Sequence, residues 1–591
     1  MDTLDDALLP EGLPSGRELA EEGRRIGHDI VIGRTAFCAA KGLSNEADHK
    51  QNRAAAGELT WSMIMGLGSI EEQIEGLHYL HESGRRSGVI MDRGLVIPNM
   101  RTGVPRSVRH RVPRGTSFVL DGPDDHVRIA QAVPIQPCFN DWHIGSPAAV
   151  DNTVSALRAG STYHGVLAQF VWSLPYCEDA VANVAENVKA IGIVAAKRKE
   201  KMIVDSYMDD GMPSQFMDNA SLVGYARLER YVVEDLCGAR YATGFGGLMS
   251  NLAIKVAVWL ALHEVLRADH PPLSYLYGNT IDPSDEQIVG NFGIVASEML
   301  ILAATEKHYR TGISLLPVPA TEKIQVPTRE EIADAHAVAR TAAARSDEVL
   351  PMLHFTEIER MSSLLVVKGM EFFNNILVGL KAGGVDIRDP LQVLLAVRRL
   401  GAARLESLYH PGERDAGQLN GIVPFVRTEL TQRSLGQRDA EIEAIRREGL
   451  GDAIRGTRFV VGSADSHSFG AFVLSEVLKE FGAEVVDGGI DLSPEQMLAL
   501  AREHKGAHIA VSAHNGQSLG WGARLVGLAR ERGEEYGVFM GGRLNGVVAD
   551  EAAPVDVAHL LEELDIAACR TVRDLADRLA HGRYLTGPRE A

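Results

Sequence analysis

The feature that most limits the fold of this chain is a regular alternation of short apolar runs with longer amphipathic segments, from about Glu58 to Val326. Each apolar run has the length of a strand and each intervening segment the length of a helix, the pattern of parallel strands joined by helices. Roughly seven or eight such units favour a (β/α)8 barrel over an open sheet. The strand candidates are TWSMIM (60–65), GLVIPN (94–99), AVPIQP (132–137), VLAQFVW (166–172), RYATGF (240–245), LSYLYG (273–278) and TGISLLPV (311–318).

The sequence predicts five segments. Residues 1–57 predict an N-terminal arm with helices, and residues 58–326 predict the α/β catalytic barrel. Residues 327–430 predict a helical extension, which opens with proline, threonine and then acidic residues. Residues 431–457 are charged and poor in aromatic side chains, which favours a helical linker. Residues 458–591 alternate four strands with helices, which is typical of a flavodoxin-like, Rossmann-type domain.

Charge and cysteine usage limit the partners. The chain has 60 Lys and Arg against 79 Asp and Glu, so its net charge is −19. Nucleic acids and anionic membranes need a basic surface, and we expect neither as a partner. The five cysteines are scattered, without a C-x-x-C pair for zinc or redox chemistry. An odd number of scattered thiols is typical of a reducing compartment, so we expect a cytoplasmic protein.

Three strand ends of the C-terminal domain hold unusual residues. The first predicted strand is followed by GSADSHSFG, the third by SAH and the fourth by GG. In a parallel sheet of this kind, ligands bind at the edge formed by the carboxyl ends of the strands. A lone loop histidine or a Gly-Gly turn is common, but three such motifs in order indicate a shared ligand site. These residues are Asp465, His467, Gly470, Ser512, His514, Gly541 and Gly542.

The combination resembles the cobalamin-binding module in which a protein histidine displaces the cofactor's dimethylbenzimidazole, with the signature D-x-H-x-x-G, S-x-L and G-G. The resemblance implies that His467 ligates cobalt and that Asp465 accepts its other ring N–H, which fixes the tautomer. It also implies that Gly470 leaves room for the nucleotide tail, and that Ser512 and the Gly-Gly backbone line its slot. His514 stands where the module has leucine, so packing around the tail differs here.

The resemblance extends to both subunits of glutamate mutase. Residues 459–548 resemble its small subunit, and residues of about 58–410 resemble its barrel-forming large subunit in EEQIEGLHYLHESG, SLPYCED and TEKIQVPTREE. The resemblance implies an adenosylcobalamin-dependent isomerase, or mutase, with both parts fused in one chain. In such enzymes the cobalt–carbon bond supplies a radical that abstracts hydrogen from a small carboxylate or amino-acid substrate. It also implies a homodimer.

The family's adenosine contacts are partly present. Gly66 matches a glycine that lets the adenosine approach closely. Glu322 matches an acid that binds the ribose, but it is equally an acid ahead of the helix start at Pro327. A family lysine near the adenosine falls at Val318, so that contact is missing or replaced.

The residues that hold the substrate in the resembled family differ most from those of this chain. Three family arginines hold the two carboxylates of glutamate, and only one is present here, as Arg101. The other two fall at Ile64 and Trp142. We therefore expect a small carboxylate substrate other than glutamate, anchored by Arg101. Further polar candidates at strand ends, although a lone histidine is more often structural, are Asp141, His143 and His164.

Three other classes are open to a cobalamin-binding chain. A corrinoid methyltransferase or methyl carrier is the first alternative, although such systems often add a zinc site and no zinc-type cysteine motif occurs. An aminomutase with pyridoxal phosphate is disfavoured, because Lys479 and Lys505 are the domain's only lysines and lie at predicted surface positions. A light sensor is disfavoured because the chain shows no clear DNA-binding element.

Overall fold

The structure is a computed structural model. Its contacts divide the chain into two compact units, Met1–Thr428 and Glu429–Ala591. The residues that it describes are 8–112, 117–177, 179–284, 286–322, 326–415, 418–464, 468–489, 492–513, 518–546 and 555–582.

The first unit is built around a closed barrel of eight parallel strands, as the sequence predicted. Each strand pairs with the next along the chain, and the eighth closes the barrel on the first, with Thr60 in register with Ser314. The strands are β1 Thr60–Met65, β2 Arg93–Val96, β3 Gln136–Phe139, β4 Tyr163–His164, β5 Ile203–Tyr207, β6 Arg240–Phe245, β7 Tyr275–Tyr277 and β8 Ser314–Leu316.

Helices follow every strand. The helices of this part are α1 Gly16–His28, α2 Ala36–Lys41, α3 Glu46–Ala56, α4 Ile70–Ser87, α5 Arg106–Arg109, α6 Pro123–Ala132, α7 Ala149–Ala159, α8 Ala180–Ala195, α9 Asn219–Arg230, α10 Leu252–Leu266, α11 Ile288–Tyr309 and α12 Arg329–Ala343. Helix α12 begins with a capping box between Thr328 and Glu331 and packs against α4 and α11. It therefore completes the outer ring of helices, although the sequence placed its residues in an extension beyond the barrel.

The fourth and fifth strands differ from the sequence prediction. The run VLAQFVW, predicted as a strand, forms a 3-10 helix at Leu167–Val171, and the strand is the short Tyr163–His164 before it. Strand β5, Ile203–Tyr207, was not predicted. It holds Asp205 in its centre, fully buried inside the barrel, and this polar residue breaks the apolar run on which the prediction depended.

The N-terminal end of the barrel is filled by charged groups from α3 and from the first residue of β2. The Arg93 guanidinium lies 2.9 Å from a carboxylate oxygen of Glu46 and between the rings of Tyr163 and Tyr275, at 4.4 and 4.8 Å. Lys50 donates to the carbonyl oxygen of Ser274 at 2.7 Å. These charges are paired or screened within the barrel, as burial requires.

Three helices follow the barrel, and they cover one sector of it. Two of them pack on barrel helices, α14 against α9 and α10 and α15 against α8. The carboxylate of Glu406 on α15 accepts the backbone N–H of Met217 at 3.0 Å and ties α15 to the loop before α9. These helices are α13 Ser346–Val349, α14 Thr356–Ala382 and α15 Pro390–Tyr409.

Two helices of the first unit, α11 and α14, are long and apolar enough to cross a bilayer by length and composition alone. Both pack against other helices of the barrel, α11 against α10 and α12 and α14 against α9 and α10. Long apolar helices at the core of a globular unit pass the same test.

The second unit is a doubly wound α/β domain, again as predicted. Its five parallel strands lie in the order β10-β9-β11-β12-β15, which is the flavodoxin-like order. A two-stranded antiparallel sheet of β13 and β14 is separate. The elements are α16 Glu429–Glu448, α17 Gly451–Ile454, β9 Arg458–Ser463, α18 Ser468–Glu480, β10 Glu484–Gly489, α19 Pro494–Glu503, β11 His508–Ala513, α20 Ser518–Glu531, β12 Val538–Gly542, β13 Asn545–Gly546, β14 Val555–Asp556, α21 Ala558–Glu563, β15 Ala567–Ala568 and α22 Val572–Ala580.

The segment predicted as a helical linker is part of this second unit. It is helical, but α16 packs against α18 and α22, and α17 packs against α22. The side chains of Ile445 and Ile454 are fully buried in the same cluster as Phe459 of β9. The domain core therefore includes residues before 458.

Candidate functional site

The carboxyl ends of three neighbouring strands meet at one edge of the second unit's sheet. Ser512 of β11 is in register with Ser463 of β9 on one side and with Gly541 of β12 on the other. The first turn of α18 faces this edge through Gly470. The structure thus brings together the predicted residues Gly470, Ser512 and Gly541.

Ser512 carries a buried hydroxyl without a partner. Its side chain is almost fully buried, and its Oγ makes no hydrogen bond. A Cβ atom at Gly470 would lie 2.3 Å from this oxygen, closer than any non-bonded contact allows. A buried polar atom normally has a partner, so a glycine beside an unsatisfied hydroxyl fits a ligand that brings hydrogen-bonding groups to this place.

The two glycines at the end of β12 are required by close backbone packing. A Cβ at Gly541 would lie 2.8 Å from the carbonyl oxygen of Cys569. Gly542 has a φ of +91°, and its Cβ would lie 2.4 Å from the carbonyl oxygen of Ala513. Any larger residue would push this strand end out of the sheet edge.

Asp465, His467 and His514 lie outside the described residues. Their neighbours fix where their segments run along the chain: residues 465–467 join the end of β9 to the start of α18, and residues 514–517 join β11 to α20. The roles of these three residues remain sequence predictions.

In the first unit, the C-terminal ends of the barrel strands and the loops after them form what we call the barrel mouth. In (β/α)8 enzymes this is the end that carries the active site. Its interior layer is apolar and aromatic: Ile64, Tyr207, Tyr277 and Val318 belong to one cluster. Tyr207 and Tyr277 have ring centroids 4.8 Å apart. Ile64 and Val318, where the resembled family has charged residues, therefore pack inside the barrel.

Arg101 lies at the mouth, in the 3-10 helix Met100–Gly103 that follows β2. It is half-buried; its Nη2 donates weakly to the carbonyl oxygen of Arg109 at 3.4 Å, and its buried Nε has no hydrogen-bond partner. By contrast, each nitrogen of the Arg109 guanidinium already donates to a backbone carbonyl, namely that of Thr102, Val104 or Leu120. Arg101 therefore keeps donor capacity that the neighbouring Arg109 does not.

Trp142, like Ile64, stands where the resembled family has an arginine. It has a φ of +62° and its backbone N–H donates to Oε1 of Gln169 at 2.8 Å. Its side chain packs with Met100 and Val108 in a small apolar cluster. Trp142 lies next to the 3-10 helix of Arg101, since a Cβ at Gly103 would be 3.1 Å from the Trp142 Cβ, and it adds apolar surface there rather than a second positive charge.

Acidic groups dominate the polar part of the mouth. One Gln169 amide donates to both Asp141 and Asp210, at 3.3 and 3.1 Å, so these two carboxylates lie close together. Desolvation and the charge of Asp210 raise the pKa of Asp141 to about 7. Deeper in the barrel, burial raises the pKa of Asp205 to about 7 as well, although the nearby Arg93 guanidinium and Tyr275 hydroxyl favour its charged form. Sequence reasoning missed Asp205 and Asp210, because no motif marks them.

Glu322 follows β8 at the same end of the barrel. Desolvation raises its pKa to about 7, and its Oε2 has no hydrogen-bond partner. Desolvation raises the pKa of Tyr277, and the charges of Asp141 and Glu322 raise it further, so both acids lie near that ring. A role as a plain helix-start acid leaves this buried oxygen unexplained.

Gly66 continues β1 into the mouth. A Cβ at this position would lie 2.7 Å from the carbonyl oxygen of Ile97, beyond the end of β2. The packing of two strand ends therefore already requires a glycine here, apart from any ligand.

His143 and His164 do not face the barrel interior. His143 is fully buried against His126 of α6, with their Nε2 atoms 3.0 Å apart, and against Phe139. His164 alternates along β4 with Tyr163, whose ring belongs to the interior cluster, so it points toward the outer helices. Burial lowers the pKa of His164 to about 3, and it also lowers the pKa of His143 well below its usual value. Both are neutral groups of the barrel wall, and neither lies where it could contact a substrate in the barrel interior.

The sheet order, the glycine-lined edge and the unpartnered serine define a domain that binds an extended cofactor at the carboxyl ends of its strands. A family model described as B12 binding domain matches residues 458–565. No curated protein matches the chain. The chain is therefore a cobalamin-dependent enzyme or carrier, and the second unit is its cobalamin-binding domain.

Proposed function

We propose that the protein is an adenosylcobalamin-dependent mutase that rearranges a small carboxylate or amino-acid substrate in the barrel mouth. The observation that carries the proposal is the pairing, in one chain, of a closed eight-stranded barrel with a cobalamin-binding domain. The sequence resemblance to both glutamate mutase subunits supports the same assignment. A methyl carrier or methyltransferase is the alternative.

In this proposal the second unit holds the cofactor. His467 would ligate cobalt and Asp465 would orient its ring, while Gly470 and Ser512 would bound the slot for the nucleotide tail. The unpartnered Ser512 hydroxyl beside Gly470 supports this, because the tail would supply its missing hydrogen bond. The backbone of Gly541 and Gly542, with His514, would line the rest of the slot.

The barrel mouth would bind the substrate. When bound, adenosylcobalamin supplies a carbon radical able to abstract hydrogen, and the protein's task is to hold the substrate and exclude water. Arg101 would pair with the substrate carboxylate through its unpartnered Nε. Glu322 would accept hydroxyl donors of the cofactor's ribose through its unpartnered Oε2.

The acids of the mouth favour a substrate that also carries an amino group. Asp141 and Asp210 share one amide donor, so two carboxylates lie close together in this part of the mouth. An ammonium group beside Asp141 and over the Tyr207 and Tyr277 rings would be stabilised by both charge and ring faces. Ile64 and Trp142 leave no partner for a second carboxylate, so glutamate is not the expected substrate.

The test is anaerobic. The purified chain is mixed with adenosylcobalamin and a panel of monocarboxylic acids, amino acids and glutamate, and electron paramagnetic resonance records cob(II)alamin and organic radicals. A substrate-dependent radical signal with the deoxyadenosyl group recovered after turnover supports the mutase. Methyl transfer from methylcobalamin, without any such signal, favours the carrier or methyltransferase.

We also propose a cytoplasmic homodimer. The basis is the family resemblance and the scattered thiols, all five of which are buried and free in the structure. Light scattering of the cobalamin-loaded protein at micromolar concentration measures the oligomeric state; a monomer would contradict the proposal.

A further inference from the structure

A second cavity lies at the other end of the barrel. It opens beside the N-terminal end of β1, between the end of α3, the loop after α4 and the last turns of α12. Its volume is about 210 Å³, several times the ~30 Å³ that one water molecule occupies in the liquid. The residues that line it are Arg53, Trp61, Gly88, Val89, Ile90, His336 and Arg340.

Arg340 is held at this cavity by the backbone. Its Nη1 donates to the carbonyl oxygen of Ser87 at 2.6 Å. The next residue is Gly88, which ends α4 with a φ of +69°, and a Cβ there would lie 2.6 Å from the same Nη1. Glycine at this position thus makes room for the guanidinium. In the part of the chain that the structure describes, no carboxylate is paired with Arg340.

Arg53 supplies a second oriented guanidinium. Its Nε donates to the carbonyl oxygen of Leu59 at 2.8 Å, and its Nη1 lies 3.0 Å from a carboxylate oxygen of Glu58. The Glu58 side chain is 57 % exposed, so this ion pair is weak and screened by solvent. Both arginines are therefore fixed by backbone carbonyls and keep donors available for a ligand.

His336 adds a buried polar group. Its side chain is 2 % exposed, and its Nε2 has no hydrogen-bond partner. The charge of Asp92 acts on His336, but this carboxylate already has partners, because it lies 2.8 Å from Nε2 of His49 and accepts the backbone N–H of Trp61 at 2.9 Å. Burial lowers the pKa of His336 to about 3, so the ring is neutral and can donate or accept one hydrogen bond.

The remaining walls are apolar. Trp61 and Val89 are buried, and Ile90 is 49 % exposed at the rim. A ligand here would meet two guanidinium groups and an imidazole on one side and an indole and aliphatic side chains on the other. An anionic head on a small apolar or aromatic body matches both.

We propose that this cavity is a binding site for a small organic anion whose carboxylate or phosphate pairs with Arg340 and Arg53 and whose apolar body lies against Trp61. The site is at the end of the barrel opposite the mouth, so its ligand does not compete with substrate. The proposal is independent of the mutase assignment, because it concerns binding alone.

The test is calorimetric titration of the full-length, cobalamin-loaded protein with benzoate and, separately, phenyl phosphate, at fixed ionic strength. Arg340→Met removes the main charge, and Arg345→Met is the matched control. Arg345 lies just beyond the same helix, is 70 % exposed and is paired with Glu348 at 2.9 Å. Loss of a charge-assisted hydrogen bond should weaken binding about 10- to 100-fold in Arg340→Met and leave Arg345→Met within about twofold.

The two ligands separate a carboxylate site from a phosphate site, and binding of either supports the proposal. Arg340→Lys keeps the charge but not the planar fork, so it should bind the anion with intermediate affinity. It replaces Arg340→Met in the test if that variant folds poorly. The proposal is overturned if neither anion binds the parent protein at millimolar concentration. It is equally overturned if Arg340 and Arg345 variants lose affinity alike, since that result would indicate general charge attraction.

Discussion

At the scale of single residues, Gly470 is the position where the structure makes the sharpest statement about the cobalamin domain. Gly470→Ala would place a methyl group 2.3 Å from Ser512 Oγ. We expect the methyl to occupy the tail slot and weaken cobalamin binding at least tenfold, measured by absorbance titration. Gly520→Ala is the matched control: it is also in the first turn of a helix, and its Cβ would have no neighbour within 4 Å. Equal cobalamin affinity in the two variants would show that the nucleotide tail does not lie between Gly470 and Ser512.

The metal contact is a second residue-scale prediction. His467→Ala should lose protein nitrogen on cobalt, because its imidazole is the proposed lower ligand. Labelling the histidines with ¹⁵N should change the hyperfine splitting of cob(II)alamin in the parent protein and not in the variant. Asp465→Asn should be milder, at about 10- to 100-fold in affinity, as expected for a group that acts through the ligand. A parent spectrum with dimethylbenzimidazole nitrogen still on cobalt would contradict the assignment.

The acids of the mouth predict a pH dependence. The pKa of Asp141 is about 7 in the free protein, so the carboxylate is protonated below that pH and ionised above it. For an amine-bearing substrate, kcat/KM should therefore fall roughly tenfold per pH unit below 7 and level off above it. In Asp141→Asn, kcat/KM should be low at every pH and should show no inflection near pH 7. A profile of the parent enzyme that is flat from pH 5.5 to 8.5 would show that Asp141 does not bind the substrate.

At the scale of elements, the helix before the cobalamin domain is structural. Ile445 of α16 is fully buried in the domain core, whereas Ile442 on the same helix is only partly buried. Ile445→Ala should lower the free energy of unfolding of the second unit by about 2–5 kcal/mol. Ile442→Ala should lower this free energy of unfolding by a smaller amount. Urea unfolding followed by loss of the cobalamin spectrum measures both, and equal small losses would mean that α16 is a dispensable tether.

At the scale of the whole molecule, the charge arrangement of the mouth determines substrate choice. We expect no interconversion of glutamate and 3-methylaspartate, because Ile64 and Trp142 leave a second carboxylate without a partner, at a cost of several kcal/mol. The measurement is an anaerobic assay of the single chain with adenosylcobalamin. With the true substrate, Arg101→Lys should lower kcat/KM about 10- to 100-fold, since a point charge cannot reproduce the fork. Arg106→Met, an exposed arginine nearby, should have little effect. Efficient glutamate turnover would contradict this assignment of the clamp.

The sequence by itself determined both folds and the cofactor class. Alternating apolar runs predict parallel α/β units, and β1 and β6 lie where their patterns predict them. The cobalamin motif could be found because its residues follow consecutive strand ends, where local spacing and three-dimensional position coincide. Gly470, Ser512 and Gly541 are accordingly adjacent in the structure.

Only the tertiary structure decided which polar side chains face the barrel interior. His143 and His164 follow or end strands, as catalytic residues do, yet they lie in the barrel wall. His164 points outward because successive residues of the two-residue β4 point to opposite faces, and His143 packs against His126 of α6. Asp205 lies in the centre of β5 and Asp210 in the loop after it, and this strand carries no clear apolar signal. Burial, shared hydrogen bonds and the pairing of charges depend on residues distant in the chain, and no local pattern records them.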